Sequence, residues 1–260
     1  MSSKIGIIGG SGIYEVKELQ KKKEEKIKTP YGEILVSHAK WGDSDLFFLP
    51  RHGKNHKIPP HKVNYRGNIY ALKLCGVDRI LSTSASGSLN KKIKPGEVVF
   101  INQFIDFTKS RPSTFFDEGD VFHVDMSEPY CPELHNLFIK VASELDMKFH
   151  PEGTYLCTEG PRFETPAEIK AFKIMGADVV GMTNVPEVIL SREAEICYAS
   201  VAVVTNMAAG IEQNKLTSDE VSQAMQEMSQ SVIELILKVI KEIPARRNCA
   251  CRNALKGSKM

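Results

Sequence analysis

The amino-acid sequence predicts a single α/β domain built on a mixed, mostly buried β-sheet flanked by helices. Strand-like and helix-like segments alternate along the whole chain, which is typical of this class. With 260 residues, of which 42% are hydrophobic, the chain is long enough to bury a full core. No internal repeat or domain linker interrupts the alternation. We therefore assign residues 1–244 to one domain and residues 245–260 to a polar C-terminal tail.

The first third of the chain reads as short strands separated by glycine and proline. Helical periodicity over Asn64–Cys75 stops at Gly76 and predicts one helix. The charged run Lys21–Lys28 is predicted to be an exposed connection, and the small residues Ser82–Gly87 are predicted to follow a strand. The predicted strands are Lys4–Ile8, Glu33–Ala39, Asp45–Leu49, Asp78–Leu81 and Glu97–Ile105.

The rest of the chain carries clearer helix signals. Thr165 and Thr217 are each followed three residues later by Glu, the pattern of a capping box, and the second helix continues to Pro244. Tyr198–Thr205 is continuously apolar, which predicts a strand that is buried on both faces. Arg111–Asp120 is predicted to be a polar loop. Two further helices are predicted at Pro132–Leu145 and Pro186–Cys197, and two further strands at Gly153–Cys157 and Asp178–Gly181.

Charge and hydropathy point to a small-molecule partner. The chain has 34 Lys+Arg against 32 Asp+Glu, a net charge of +2, so neither nucleic acid nor an anionic membrane is an expected partner. It contains no apolar run long enough to span a bilayer. Ile5–Tyr14 contains four glycines and no small-residue cleavage site, unlike a signal peptide. We expect a cytoplasmic protein, and the Lys/Glu-dense run Lys21–Lys28 fits a thermophilic source.

Neither the cysteines nor the histidines have the spacing of a common metal motif. The six cysteines contain no C-x-x-C pair, which excludes zinc ribbons and thioredoxin-like motifs, although Cys249-Ala-Cys251 is unusual in a polar tail. His52, His56 and His61 lack the H-E-x-x-H pattern, and two prolines break any helix between them. No metal is therefore expected at these residues.

Hydroxyl and basic side chains follow several predicted strands, where ligands bind in open α/β sheets. A glycine loop with Ser11 follows the first strand, but it matches neither G-x-G-x-x-G nor G-K-[ST], so a phosphate-binding nest and a plain turn both remain open. Arg51 and His52 follow another strand and could hold an anion. Ser84 lies in the Ser82–Gly87 stretch, and Thr183 precedes a helix start whose N–H groups attract anions.

A second set of residues suits a flat heterocycle. Phe163 can stack on a ring, Glu164 can accept an N–H, and the Asn206 amide can both donate and accept. Taken singly, they could equally be a core aromatic residue, a first-turn carboxylate and a turn asparagine. In combination with the strand-end hydroxyl and basic groups, they predict a phosphate pocket beside a heterocycle pocket.

These motifs resemble those of the trimeric purine nucleoside phosphorylase and methylthioadenosine phosphorylase family. The resemblance implies a nucleoside phosphorylase-like fold with a partly barrel-like sheet, and the reversible phosphorolysis of a purine nucleoside to free base and ribose 1-phosphate in purine salvage. It also implies a homotrimer, or a hexamer formed from two trimers, with phosphate as co-substrate and no metal or organic cofactor. The motifs are Ile5–Gly12, Pro50–Gly53, Val63–Arg66, Glu159–Phe163 and Gly181–Val188.

Carried over position by position, the resemblance implies a role for twelve residues. Asn206 and Glu164 would be the catalytic residues that stabilise the departing purine, and Met182 would lie along the ribose. His123 would reach the 5′ end of a neighbouring subunit's ribose. The remaining base-binding residues would be Phe163 and Ala208. The phosphate-binding residues would be Ser11, Arg51, His52, Ser84, Ala85 (through its backbone) and Thr183.

The sequence departs from the methylthioadenosine branch at the residues that would bind the purine base. Those enzymes carry an Asp-x-Asp pair after the last buried strand, where this chain has Asn206-Met-Ala208. A neutral Asn can donate to N7 or O6 of a 6-oxopurine, and Glu164 can accept from its N1–H. Adenine would instead place its N1 lone pair against the Glu164 carboxylate, at a cost of about 1–3 kcal/mol. We therefore expect inosine, guanosine or 5′-methylthioinosine as substrates.

Four alternatives remain. They are a strict methylthioadenosine phosphorylase, a nucleosidase that uses water, a nicotinamide-dependent oxidoreductase and a non-catalytic nucleoside-binding protein. The oxidoreductase should show a ribose-binding acid about 20 residues after the glycine loop, but Glu24 and Glu25 lie in a charged run. The preferred 5′ substituent stays open. Resemblance to archaeal members suggests two disulfides, Cys131–Cys197 and Cys249–Cys251.

Overall fold

A computed structural model describes residues 3–9, 23–212 and 216–260 and shows the predicted α/β architecture, a large mixed sheet with five helices. The strands are β1 Lys4–Gly9, β2 Lys23–Thr29, β3 Gly32–Trp41, β4 Ser44–Pro50, β5 Arg79–Ser88, β6 Val98–Phe100, β7 Gln103–Phe107, β8 Phe149–His150, β9 Thr154–Thr158, β10 Val179–Gly181 and β11 Cys197–Met207. The helices are α1 Tyr65–Leu74, α2 Pro132–Glu144, α3 Pro166–Ile174, α4 Asn184–Glu193 and α5 Ser218–Glu242. None of the helices among these residues is long and apolar enough to cross a membrane.

The sheet branches at β5. Its main path runs β2-β3-β4-β1-β5-β10-β9-β7, and β11 pairs with the other edge of β5 and then with β6. β1 and β11 run parallel to β5, whereas β10 runs antiparallel to it. The pairings within the described ranges form branches and not a closed ring. Because three strands, β1, β10 and β11, pair with β5, strand ends converge on one region of the molecule.

β11 is buried on both faces, as its continuous apolar sequence predicts. Val201 and Val203 face a core cluster with α2 and α5, while Ala202 and Val204 face a second cluster with α1 and α4. Alternate side chains of a strand point to opposite faces, so each residue of β11 is assigned to one of the two layers. Burial of each valine contributes about 1.5–3 kcal/mol. The two layers hold β5 and β11 rigidly beneath the site described below.

Three strand predictions are wrong, each because pairing between distant segments overrides local composition. Lys23–Thr29 is not a connection but the edge strand β2, which pairs along its whole length with β3 while its side chains remain mostly solvated. β5 does not end at Leu81 but continues through Ser88, because β11 pairs with it throughout. The single strand predicted at Glu97–Ile105 is two strands, β6 and β7, with different partners.

The helix signals are mostly correct. Thr165 and Glu168 form both hydrogen bonds of the capping box at α3, and Thr217 accepts the Glu220 N–H at α5. α4 is shorter than predicted and ends at Glu193, because the chain must turn to begin β11. The C-terminal tail is folded onto the domain, since residues 250–253 form a short 3-10 turn and Lys259 forms a β-bridge with Phe122.

Candidate active site

A cleft of about 790 Å³ lies where β4, β5, β10 and β11 end, with the first half of α5 as one wall. A more open hollow of about 910 Å³ lies near Trp41 and Ile240 and contains none of the predicted site residues. Ten of the twelve residues singled out from the sequence line the 790 Å³ cleft: Arg51, His52, Ser84, Ala85, Phe163, Glu164, Met182, Thr183, Asn206 and Ala208. The fold thus brings together groups that are up to 157 positions apart in the sequence, from Arg51 to Ala208.

One edge of β5 opens into this cleft. The pairing of β5 with β1 stops at Ser82, and its pairing with β10 starts only at Gly87. Between these points the edge that faces the cleft has no strand partner among the described residues. Unpaired backbone N–H groups at a strand edge can bind an anion. This gap gives a physical basis for the predicted backbone role of Ala85.

Side-chain hydroxyls add to the open edge. The Thr83, Ser84 and Ser86 hydroxyl oxygens are buried and lack a hydrogen-bond partner among the residues that the structure describes, and all three residues line the cleft. Buried polar atoms are nearly always hydrogen-bonded, so such a cluster points to a polar ligand. Thr183 is also buried at the start of α4, where helix N–H groups attract negative charge.

Arg51 is the cation beneath these hydroxyls, and most of its donors are already used. Its guanidinium donates to both carboxylate oxygens of the fully buried Glu187, at 2.5 and 2.9 Å, as well as to the Thr83 carbonyl and the Ser82 hydroxyl. Burial lowers the pKa of Arg51, but the Glu187 carboxylate outweighs this and raises it overall. Four of its five N–H groups are thus occupied. Arg51 can offer a permanent positive charge and one remaining N–H to an anion, but not its bidentate face.

His52 is held as a neutral imidazole. Its Nδ1 lies 2.7 Å from the Ile58 carbonyl oxygen, which can only accept, so Nδ1 carries the proton. Burial, followed by the charge of Arg51, lowers the pKa of His52 to about 4. Near neutral pH the other ring nitrogen, Nε2, is therefore a hydrogen-bond acceptor. Such an atom suits the O–H of hydrogen phosphate better than a fully ionised oxygen. His56, which the sequence did not single out, stacks on His52 with 4.2 Å between ring centroids.

The Asn206 amide is oriented by its neighbours. The Thr205 hydroxyl donates to Oδ1 at 2.8 Å, and Nδ2 donates to the Met207 carbonyl at 2.9 Å. The Met207 carbonyl can only accept, so this contact fixes which atom is nitrogen, and the Thr205 hydroxyl can donate to the remaining oxygen. A break in the β5–β11 register between Val204 and Asn206 turns this segment toward the cleft. The absence of a side chain at Gly87 matters here, because a Cβ there would lie 3.1 Å from Nδ2.

Glu164 supplies a second polar group near Asn206. It is 9% exposed, and the Thr158 hydroxyl donates to its Oε1 at 2.7 Å, which leaves Oε2 for a ligand. Burial raises the pKa of Glu164, although the Thr158 hydrogen bond opposes this shift. Phe163 is 38% exposed at the rim of the same cleft. An oriented amide, a buried carboxylate and an aromatic ring together can hold a planar base by its edge and its face.

Two predicted residues are not among these ten. Ser11 lies outside the described residues. His123 is exposed and bound to the C-terminal tail: its backbone N–H donates to the Ser258 carbonyl at 2.8 Å, and its ring lies 3.0 Å from the Met260 sulfur. The predicted action of His123 on a neighbouring subunit therefore stays a prediction.

Several supporting residues escaped sequence analysis. Glu187 was read as part of a helix, yet it binds Arg51 and also accepts from the Tyr198 hydroxyl at 2.9 Å. A charged residue between the apolar residues of α4 was the available signal. Thr158 and Thr205 gave no signal, because a single threonine in a strand is ordinary. The cleft wall formed by α5 was also missed, since its helical periodicity indicated only a core-facing stripe.

Comparison with known proteins identifies the family of this chain. Residues 4–241 match the family model described as "Phosphorylase superfamily". The chain is 53% identical over 262 residues to the 6-oxopurine nucleoside phosphorylase of Pyrococcus furiosus, with 98% of each protein covered. It is 46% identical to the probable S-methyl-5′-thioinosine phosphorylase of Methanopyrus kandleri, with 99% of this chain and 100% of that protein covered.

Among solved structures, a methylthioadenosine phosphorylase from an Antarctic soil metagenomic library superposes with a TM-score of 0.93 at 38% identity. The alignment covers 100% of this chain and 93% of that one. Both the sequence and the fold thus match nucleoside phosphorylases over nearly their whole length. The chain belongs to the phosphorylase superfamily.

Proposed function

We propose that this protein catalyses the reversible phosphorolysis of 6-oxopurine nucleosides, such as inosine, guanosine and 5′-methylthioinosine, to free base and ribose 1-phosphate or its methylthio analogue. The observation that carries this proposal is the pair of polar groups at the base end of the cleft. The oriented Asn206 amide can donate to a 6-oxopurine, and the buried Glu164 carboxylate can accept its N1–H. The similarity to a protein named 6-oxopurine nucleoside phosphorylase supports the same substrate class.

In the proposed reaction, phosphate is bound by the open edge of β5 and the groups around it. Ser84, the backbone of Ala85, Thr183 and the remaining N–H of Arg51 would hold its oxygens, together with Ser11. His52 Nε2 would accept a hydrogen bond from the O–H of hydrogen phosphate and would itself stay neutral. These contacts place a phosphate oxygen for attack on C1′, and such positioning accounts for much of the catalysis of a displacement of this kind.

The bond between C1′ and N9 of the purine breaks while a bond between C1′ and phosphate oxygen forms, with inversion at C1′. The electron pair of the broken bond passes to the purine, and the proton of hydrogen phosphate ends on the released base. Asn206 and Glu164 would stabilise the charge that develops on the purine, an electrostatic role that is typically worth 10²–10³-fold in rate, that is, about 3–4 kcal/mol. Met182 would lie along the ribose, and Phe163 and Ala208 would flank the base. Phosphate is a co-substrate in this scheme, and no metal or organic cofactor takes part.

A second candidate is methylthioadenosine phosphorolysis. The solved structures that match include methylthioadenosine phosphorylases. The cleft is also lined by Leu216, just before α5, and by Val221 and Met225 on α5, apolar side chains that could pack against a thioether. The difference lies at the base. Adenine would put its N1 lone pair toward the Glu164 carboxylate. This group carries a proton only when the pH falls to its raised pKa.

The test is the release of free base from five nucleosides, with and without phosphate. Phosphate-dependent release of hypoxanthine and guanine from inosine, guanosine and methylthioinosine, with little adenine from adenosine or methylthioadenosine, supports the proposal. Preferential release of adenine would overturn the base assignment. Release without phosphate would identify a nucleosidase, and binding without turnover would exclude an enzyme. We also propose that the active form is a homo-oligomer, which the mass in solution would test.

A further inference from the structure

A buried arginine beside the cleft connects three of the segments that line it. Arg111 is not among the lining residues, and its side chain is only 1% exposed. It begins the stretch Arg111–Asp120, which the sequence predicted only as a polar loop. A buried cation is unfavourable unless its N–H groups find partners, so those partners indicate the role of Arg111.

The Arg111 guanidinium donates four hydrogen bonds to oxygen atoms, and three of these atoms are main-chain carbonyls. Nη2 donates to the carbonyl of Thr158 at 3.1 Å and to that of Glu159 at 2.7 Å. Nη1 donates to the carbonyl of Val185 at 2.7 Å and to the Tyr65 hydroxyl at 3.0 Å. The Glu159 carboxylate balances the charge, since its Oε2 lies 3.5 Å from Nε.

The contact with Thr158 reaches the base end of the cleft. Thr158 is the last residue of β9, and its hydroxyl donates to Oε1 of Glu164 at 2.7 Å. Because Arg111 holds the Thr158 carbonyl, it also holds the residue that orients the Glu164 carboxylate. The guanidinium is a rigid planar fork, so it sets the distance between this segment and the other segments that it binds.

The other two contacts reach two further walls of the cleft. Val185 lies two residues after Thr183, which lines the cleft at the start of α4. The Tyr65 hydroxyl donates to the Pro60 carbonyl at 2.9 Å and lies 3.4 Å from the Met182 carbonyl oxygen. Both Pro60 and Met182 line the cleft. One guanidinium therefore joins these two walls to the segment that binds the base.

We propose that Arg111 is a positioning residue for phosphorolysis, which acts with Tyr65 to set the distance between Glu164 and the segment that carries Met182. This inference rests on the proposed function, because it concerns how the nucleoside is held between the base and ribose groups. Phosphate should depend on Arg111 less, since the open edge of β5 belongs to the centre of the sheet.

The first test compares Arg111→Lys with the wild type. Lysine keeps a positive charge beside Glu159 but lacks the planar fork, so the three segments can shift relative to one another. A displacement of about 1 Å can lower a rate by about 10²-fold, and we expect a fall of this size in kcat/KM for inosine. The KM for phosphate should change little. Arg246→Lys, an exposed change in the tail, is the control and should alter neither constant.

Two further measurements do not depend on the folding of Arg111→Lys. Tyr65→Phe removes one hydroxyl and keeps the ring, and it should lower kcat/KM for inosine severalfold without changing the unfolding temperature. In Arg111→Ala, guanidinium ions at concentrations too low to denature should restore part of the activity, whereas sodium ions at the same concentration should not. A general loss of structure would not be reversed in this way.

The positioning role and the proposed function fail separately. The variants are compared with the wild type on the nucleoside that the wild type turns over fastest, so a preference for methylthioadenosine would overturn the choice of base and leave the comparison intact. Wild-type kcat/KM in both Arg111→Lys and Tyr65→Phe would refute the positioning role, even if inosine is the best substrate. Equal losses for nucleoside and phosphate in Arg111→Lys, without rescue of Arg111→Ala by guanidinium, would also refute it.

Discussion

In the proposed reaction, the choice of purine base depends on Asn206. Its Oδ1 accepts from the Thr205 hydroxyl and its Nδ2 donates to Met207, so one N–H and one oxygen lone pair remain for the base. Replacing Asn206 by Ala removes a donor that strengthens as charge develops on the purine. We expect kcat/KM for inosine to fall by about 10²-fold or more. Steady-state assays of hypoxanthine release would measure the loss.

The matched variant Asn206→Asp keeps the shape of the side chain and changes its charge and its hydrogen-bonding groups. A carboxyl group that shares a proton with N7 can also accept from a 6-amino group, so the ratio of inosine to adenosine turnover should shift toward adenosine. Asn136→Asp, an exposed change on α2, controls for the added negative charge and should leave the ratio unaltered. An inosine preference that survives in Asn206→Asp would contradict the role given to this residue.

Glu164 gives the base site a dependence on pH. Burial raises the pKa of Glu164, so the carboxyl group takes up its proton at a higher pH than an exposed glutamate does. A protonated Glu164 can no longer accept the N1–H of inosine through Oε2, but it can donate to N1 of adenine. As pH falls through this raised pKa, kcat/KM for inosine should fall while kcat/KM for adenosine holds or rises.

The measurement is the pH profile of kcat/KM for both nucleosides, which reports the free enzyme. In the control variant Glu164→Gln, the ratio of kcat/KM for inosine to that for adenosine should no longer fall at acid pH, because Gln has no proton to take up. If the ratio of kcat/KM for inosine to that for adenosine stays constant from pH 7 down to the pH at which the protein unfolds, Glu164 does not hydrogen-bond to N1.

At the scale of elements, the Arg51–Glu187 pair joins the end of β4 to α4 beneath the phosphate region. Both side chains are almost fully buried, and Glu187 is also held by Tyr198. Glu187→Gln keeps the shape but removes the charge that fixes the guanidinium. We expect the KM for phosphate to rise roughly tenfold, while the KM for inosine changes little. A variant with equal changes in both constants would indicate a general loss of structure.

The stability of the same variant gives a second readout. Removing one partner of a buried ion pair typically costs 3–5 kcal/mol, and the retained amide of Gln should lower this cost. Denaturant unfolding would measure it. Glu234→Gln, on the exposed face of α5, is the control and should change neither phosphate binding nor stability.

Signals contained in a few neighbouring residues predicted the elements well. The capping box at Thr165 is complete within four residues, and it forms as expected. The predictions for β2 and for the second half of β5 failed, because the strand character of each segment depends on pairing with another strand, β3 for β2 and β11 for β5. Lys23–Thr29 has the composition of a solvated loop, and only pairing with β3 makes it a strand. Ser82–Gly87 has the composition of a turn, and only β11 extends it.

At the scale of the whole molecule, the members of the site could be predicted but its internal contacts could not. Strand-end patterns, together with the family resemblance, identified ten residues that line one cleft. The sequence suggested that Arg51 could hold an anion, yet Glu187 occupies its bidentate face. A buried cation needs a partner, but the sequence does not say which of 32 acidic residues provides it. The fold brings the sulfur atoms of four cysteines within 4.8 Å of one another, which was hidden for the same reason: Cys131, Cys197, Cys249 and Cys251.

The C-terminal tail connects these cysteines to the segment that carries His123. Beyond Cys251, the Met260 N–H donates to the Val121 carbonyl at 3.1 Å, and the His123 N–H donates to Ser258. If His123 acts on a neighbouring subunit's nucleoside, the last residues of the tail position it. Deleting residues 257–260 removes these contacts and leaves all four cysteines in place. We expect kcat/KM for inosine to fall severalfold, with the KM for phosphate unchanged.

His123→Ala tests whether the two effects share one cause. Because the tail would act only through His123, the deletion combined with His123→Ala should be no worse than His123→Ala alone, a non-additivity expected of residues that act as a unit. The measured quantity is kcat/KM for inosine in the wild type, the two single variants and the combination. Independent, additive losses would show that the tail supports the site by another route. Full activity of the deletion would show that the tail has no part in positioning His123.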